Sequence, residues 1–160
     1  MKAATPAELA ARAGAARIPT LDARATQQLS LMTWPASRLG EALELLARRA
    51  GLQPHAVQGL VPPAATGISP ALTGRWLDWA AGQLDIELEA VDSPAPEVGA
   101  LLASGGPALL RWTDSAGVTG FLLLLGGGSR AGRGVTLLAP DLRTRRCDRE
   151  TLRQALCWAL

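Results

Sequence analysis

The spacing of apolar residues changes along the chain, and the change predicts helices first and strands afterwards. Between Ser37 and Gly51, leucines at 39, 43 and 46 recur at the period of an α-helix with one buried face. Capping residues and prolines predict further helices over 6–16, 21–32, 70–83 and 97–103, and a final helix begins after Asp148. The amino-terminal two thirds of the chain is therefore predicted to be mainly helical.

Short apolar runs separated by turn residues dominate the last third. They predict strands over 108–112, 119–125 and 135–138, followed by an Arg-rich edge strand over 142–147. Alternation of apolar and polar residues over 86–91 predicts one more, half-buried strand. Helices followed by strands at hairpin spacing indicate an α+β fold with an antiparallel sheet, rather than alternating βαβ units.

Composition places the chain among globular proteins of one domain. It has 160 residues, of which 48% are hydrophobic and 19% charged. Sixteen basic residues are nearly balanced by fourteen acidic ones, so no nucleic-acid partner is expected. The longest strongly apolar run, Phe121–Leu125, is far too short to span a membrane. Two cysteines are too few for a disulfide scaffold and fit a reduced, cytosolic location.

Candidate chemistry is sparse in the sequence itself. The glycine-rich stretch 126–134 lacks the lysine and the following helix that a phosphate-binding loop needs. One histidine and two distant cysteines give no metal-ligand spacing, so no metal or cofactor is expected. Two alternatives stay open: a cysteine hydrolase that pairs Cys147 with His55, and a scaffold module without catalytic activity.

The order of segments from Trp34 onwards resembles the papain-like cysteine peptidase domains at the amino termini of bacterial ABC exporters, which cleave double-glycine leaders of bacteriocins. Helix 37–51 is similar to the helix that carries the family's nucleophile. Pro107–Trp112 resembles the family's "L-P-A-I-x-H-W" strand, and Phe121–Leu125 resembles its "H-F-V-V-L" strand. The segments 67–91 and 135–146 also match in order. The resemblance implies a papain-like fold over 31–160, with 1–30 as a helical extension, in a chain cut from a longer transporter.

The family's catalytic positions are not filled by catalytic residues in this chain. The place of the cysteine falls at Ser37 or Arg38, that of the histidine at Gly120, and that of the aspartate at Ala139. The resemblance therefore implies that these vestigial positions converge in space without peptidase activity, because a hydroxyl that has no base beside it is a poor nucleophile.

Type I secretion ABC transporters include a class with such emptied domains. Membership would imply a domain at the cytoplasmic face of the bacterial inner membrane that binds the unfolded export substrate or regulates the transporter. The transmembrane and nucleotide-binding domains would be its partners. The family's cleft then places Trp112 at its rim, with Trp34 and Phe121 as further expected contacts for the polypeptide.

Overall fold

A computed structural model of the chain describes residues 22–52, 59–62, 70–114, 116–127 and 134–157. The helix predicted over 6–16 lies outside these residues. The described helices are α1 (Ala23–Met32), α2 (Leu39–Arg49), α3 (Pro70–Leu84), α4 (Val98–Ser104) and α5 (Arg149–Cys157). The described strands are β1 (Trp34–Pro35), β2 (Ala108–Thr113), β3 (Thr119–Gly127), β4 (Gly134–Leu138) and β5 (Thr144–Asp148), and a 3-10 turn covers Ala36–Arg38. This mixture of helices and antiparallel sheet confirms the expected α+β class.

Strand β3 is the centre of the sheet. Along one edge it pairs with β2, from Ala108 opposite Leu124 to Thr113 opposite Thr119. Its other edge is shared, because β1 pairs with residues 120–121 and β4 pairs with residues 123–127. Strand β5 extends the sheet beyond β4, and every described pairing is antiparallel.

The two faces of the sheet bury separate hydrophobic cores, because side chains alternate along a strand. The first core lies between the sheet and helices α1, α4 and α5, and includes Trp112, Leu122 and Leu124. The second core lies between the sheet and helices α2 and α3, and includes Trp34, Phe121 and Leu123. The continuous apolar run in β3 is thus explained by burial on both faces.

Helix α2 begins differently from its prediction and ends as predicted. Ser37 lies in the 3-10 turn, so it does not cap the helix; Arg38 takes the capping position without a side-chain hydrogen bond. At the other end Gly51 adopts a positive φ of 81°, and the Leu52 amide donates to the Ala47 carbonyl at 3.0 Å. This is the glycine-terminated helix end that the sequence predicts.

The strand expected over 86–91 is wrong. The structure gives these residues no regular secondary structure, and no described strand pairs with them. Ile86 packs partly against the second core, whereas Leu88 and Val91 are exposed. An alternating pattern describes which side chains are buried, but a strand also needs a neighbour for its backbone hydrogen bonds.

Among the described residues, none of the helices has both the length and the apolar character that a membrane span requires.

Candidate binding cleft

A cleft of about 600 Å³ lies between the β2–β3 hairpin and the segment that runs from the end of α1 to the start of α2. One wall comes from the end of α1, from β1 and from the 3-10 turn. The other comes from the β2–β3 hairpin, while Thr73 and Trp76 of α3 close one side. Pocket volumes of this order are typical of ligand sites. The cleft therefore lies where three separate parts of the sequence meet.

Apolar side chains form much of the cleft lining. Trp112 and Phe121 come from the hairpin strands, Leu39 from the start of α2, and Trp76 from α3. Each is at least nine-tenths buried and belongs to one of the two cores. The lining is therefore anchored by packing on both sides of the sheet, which holds its shape before a ligand arrives.

The hairpin at the cleft mouth is fixed by Asp114. Its Oδ1 accepts hydrogen bonds from the Ala116 amide at 2.9 Å and the Val118 amide at 2.8 Å. The Thr113 and Thr119 hydroxyls, which face each other across the strands, lie 3.0 Å apart. Val118 is 64% exposed and lines the cleft. An apolar side chain is thus held outward at the mouth by a hydrogen-bonded turn.

Gly120 lines the cleft, and its neighbour Thr33 leaves no room for a larger residue there. A Cβ added to Gly120 would lie 2.2 Å from Thr33 Cγ2 and 3.0 Å from the Trp34 carbonyl oxygen. Thr33 is held in place because its Oγ1 donates to the Leu29 carbonyl at 2.7 Å. Position 120, where the resemblance would imply a histidine, therefore has no space for a side chain beside Thr33.

Ser37 and Arg38 have separate surroundings. Ser37 is exposed and lines the cleft. The Arg38 guanidinium lies 4.8 Å from the centre of the Trp34 ring and donates to both carboxylate oxygens of Glu41, at 2.7 and 2.8 Å. Its Nη1 also donates to the Pro140 carbonyl at 3.4 Å. The hydrogen bonds from Arg38 hold the pKa of Glu41 below its usual value. Arg38 is therefore engaged in structural contacts.

Ala139 does not line the cleft. It is fully buried in the first core, and its amide donates to the Arg143 carbonyl at 3.0 Å. Arg38 contacts the next residue along the chain, Pro140. Of the positions that the resemblance singles out, the structure thus brings Ser37 and Gly120 to one cleft, whereas Ala139 is buried in the first core.

Two of the expected polypeptide contacts need correction. Trp34 has no exposed surface, and its Nε1 donates to the Leu138 carbonyl at 2.8 Å. It is a core residue that cannot touch a ligand. Trp112 lines the cleft but is only 5% exposed, so it is part of the floor and not a rim residue. A strand end is a poor guide to exposure here because α1 covers this face of the sheet.

Several cleft residues were missed by sequence reasoning. Thr33, Val118 and Arg111 belong to no sequence motif, and neither does Trp76. Its ring lies 6.4 Å from that of Trp79, which is 51% exposed, and its buried Nε1 has no acceptor among the described residues. Arg111 carried a usable signal, since it is the one charged residue within the apolar run 108–112.

Cys147 does not suit the hydrolase alternative. It lies on β5 in the first core, away from the cleft lining. Burial, with a smaller contribution from the Asp148 charge, raises the pKa of its thiol to about 11. A thiol with that pKa is protonated at neutral pH and is a weak nucleophile. His55 lies outside the described residues, within which no group of acidic, His and Cys side chains could hold a metal ion.

Comparisons of the chain with protein-family models, with curated proteins and with solved structures found no match.

Proposed function

We propose that this chain is a non-catalytic, peptidase-like domain of a bacterial ABC exporter, and that its cleft binds an extended segment of the unfolded export substrate. The remainder of the transporter, with its transmembrane and nucleotide-binding domains, would be its second partner at the cytoplasmic face of the membrane. The papain-like architecture is part of this proposal. It is supported by the order of helices before an antiparallel sheet and by the meeting of Ser37 and Gly120 at one cleft.

The observation that carries the proposal is an open cleft at a place without catalytic groups. Gly120 has no side chain, and Thr33 occupies the space beside it. The described residues that line the cleft with Ser37 include no histidine, cysteine or lysine. The cleft nevertheless keeps a volume of about 600 Å³ and a packed apolar floor. Such a site is suited to binding, and we expect no cleavage of a double-glycine leader peptide by the purified chain.

The cleft lining has groups that an extended polypeptide could use. It combines apolar side chains with hydroxyls, such as those of Thr119 and Ser37, that can pair with backbone amides. A disordered chain loses conformational entropy when it is ordered in a groove, which offsets much of the contact energy. We therefore expect micromolar-class affinity.

Val118 provides the test of the site. Val118 and Val91 are similarly exposed, at 64% and 60%, but only Val118 lines the cleft. A carboxylate at 118 would be desolvated by a bound apolar segment, so V118D should weaken binding of a short, neutral, labelled peptide by about tenfold. V91D is the matched control and should bind like the wild type.

Fluorescence anisotropy titrations would measure the three affinities, and thermal unfolding would check that both variants remain folded. Equal affinities for V118D and V91D would overturn the location of the site. Absence of peptide binding by the wild type, or cleavage of a leader peptide, would overturn the proposed function.

A further inference from the structure

Arg111 lines the cleft and, unlike several other arginines of the protein, has no ion pair with a described carboxylate. Arg38, Arg48, Arg145 and Arg153 each form an ion pair with a neighbouring carboxylate. Arg111 is exposed, lines the cleft, and has no hydrogen bond or ion pair with any described residue. A cation without a partner therefore stands inside the concave surface.

The position of Arg111 follows from the register of the hairpin. Arg111 lies opposite Phe121, so its side chain leaves the sheet on the face that buries the second core. Leu109, two residues earlier on that face, packs against the core. Arg111 is the next residue on this face, where the covering by helices gives way to the cleft. Its charge thus projects where a ligand would lie.

Arg111 forms no ion pair with Asp114, the one anionic residue among the described lining residues. One oxygen of Asp114 instead accepts the amides of Ala116 and Val118. Apolar walls weaken solvent screening, so an unpaired guanidinium between them attracts an anion more strongly than one on an open surface.

We infer that Arg111 is a specificity-determining residue, which selects polypeptide segments carrying an Asp or Glu side chain at the position that faces it. The inference rests on the proposed polypeptide binding. A guanidinium can donate two parallel hydrogen bonds to the two oxygens of one carboxylate. The amide of Gln or the ammonium group of Lys on a peptide cannot accept such a pair of hydrogen bonds. A terminal carboxylate has the same chemistry, but a polypeptide has only one carboxyl terminus, whereas Asp and Glu can occur at any position along it.

The experiment compares short labelled peptides that differ at one central residue, which is Glu, Gln or Lys, all with amidated carboxyl ends. The wild-type chain should bind the Glu peptide about tenfold more tightly than the Gln peptide, and the Lys peptide least. The preference should decrease as salt is added. R111Q should bind the Glu and Gln peptides equally.

Arg146 supplies the matched control, because it is exposed on β5, outside the cleft, and has no ion pair among the described residues. R146Q should keep the full preference for Glu. Equal binding of Glu and Gln peptides by the wild type, or a preference that survives in R111Q, would overturn the inference while leaving peptide binding intact. Tight binding of a Gln peptide with a free carboxyl end would identify the terminus as the ligand and overturn the choice of an acidic side chain. Failure of every peptide to bind would overturn the proposed function and this inference together.

Discussion

At the scale of single residues, the contact between Thr33 and Gly120 determines whether a side chain fits at position 120 of the cleft. The two residues are far apart in the sequence and meet because β1 pairs with β3, with Pro35 opposite Gly120. The Thr33 methyl group occupies the space into which any side chain at position 120 would point. The hydroxyl of the same residue faces the other way, toward the end of α1. Thr33 therefore has two roles: its hydroxyl is hydrogen-bonded to the end of α1, and its methyl group fills the space beside Gly120.

This contact predicts a strong coupling between substitutions. G120A should lower the free energy of unfolding by about 1–3 kcal/mol, because its Cβ cannot fit beside the Thr33 methyl group. T33S removes that methyl group and keeps the hydroxyl that donates to Leu29. In a T33S background, G120A should therefore cost much less. Denaturant titrations of the four proteins give the coupling energy directly, and equal costs in both backgrounds would contradict the contact.

Sequence reasoning found part of this site and could not find the rest. The resemblance placed Ser37 and Gly120, and both line the cleft. Thr33 carries no signal in the sequence, because its effect depends on a strand pairing of only two residues. Trp34 and Trp112 were expected to contact the polypeptide because the resemblance implies a cleft at these positions. Whether such a ring is covered depends on the helix packed over it, which a linear pattern does not show.

At the scale of elements, the strands of the last third were predicted within one or two residues. Their signal is strong because each apolar run ends at turn residues, and β3 is apolar on both faces. The arginine-rich edge strand starts at Thr144, two residues later than predicted. The segment 86–91 failed because it has the right alternation but lacks a neighbouring strand. The sequence thus predicts a strand correctly where the alternating or apolar pattern is accompanied by a second strand nearby in the sequence with which it can pair.

Helix α5 offers a prediction at this scale. Asp148 was expected to cap it, and Asp148 Oδ2 accepts hydrogen bonds from the Thr151 amide at 3.0 Å and the Thr151 hydroxyl at 3.3 Å. D148A should lower the free energy of unfolding by about 1 kcal/mol. D148N keeps an acceptor oxygen and should lose little of it. Chemical denaturation distinguishes the two, and an equal loss in both variants would show that the negative charge, and not the cap, is responsible.

At the scale of the whole molecule, stability should depend on pH in an alkaline range where few other groups titrate. Folding raises the pKa of the Cys147 thiol from 9.0 to about 11, mainly through burial. The folded state therefore favours the protonated thiol. Its contribution to stability is complete below pH 9 and is lost as the pH rises toward 11. The chain has no tyrosine, and its one lysine is Lys2, so this range is unusually free of other titrations.

Unfolding by denaturant, measured between pH 8 and pH 11 by about half-unit steps, tests this expectation. The wild type should lose stability across the range, and C147A should lose less. Parallel slopes for the two proteins would contradict the assignment to Cys147. Alkylation of the folded chain near pH 8 should likewise modify Cys147 slowly, because little thiolate is present.

The fit of Thr33 against Gly120 also restricts the order in which substitutions can accumulate in descendants of this chain. A first step at position 120 introduces a steric clash and is removed by selection when it destabilises the fold. A first step from threonine to serine at position 33 removes the methyl group that clashes, and a side chain at 120 then costs less stability. The reverse order passes through the less stable G120A protein and is therefore disfavoured. A single methyl group thus determines which order of substitutions at positions 33 and 120 costs less stability.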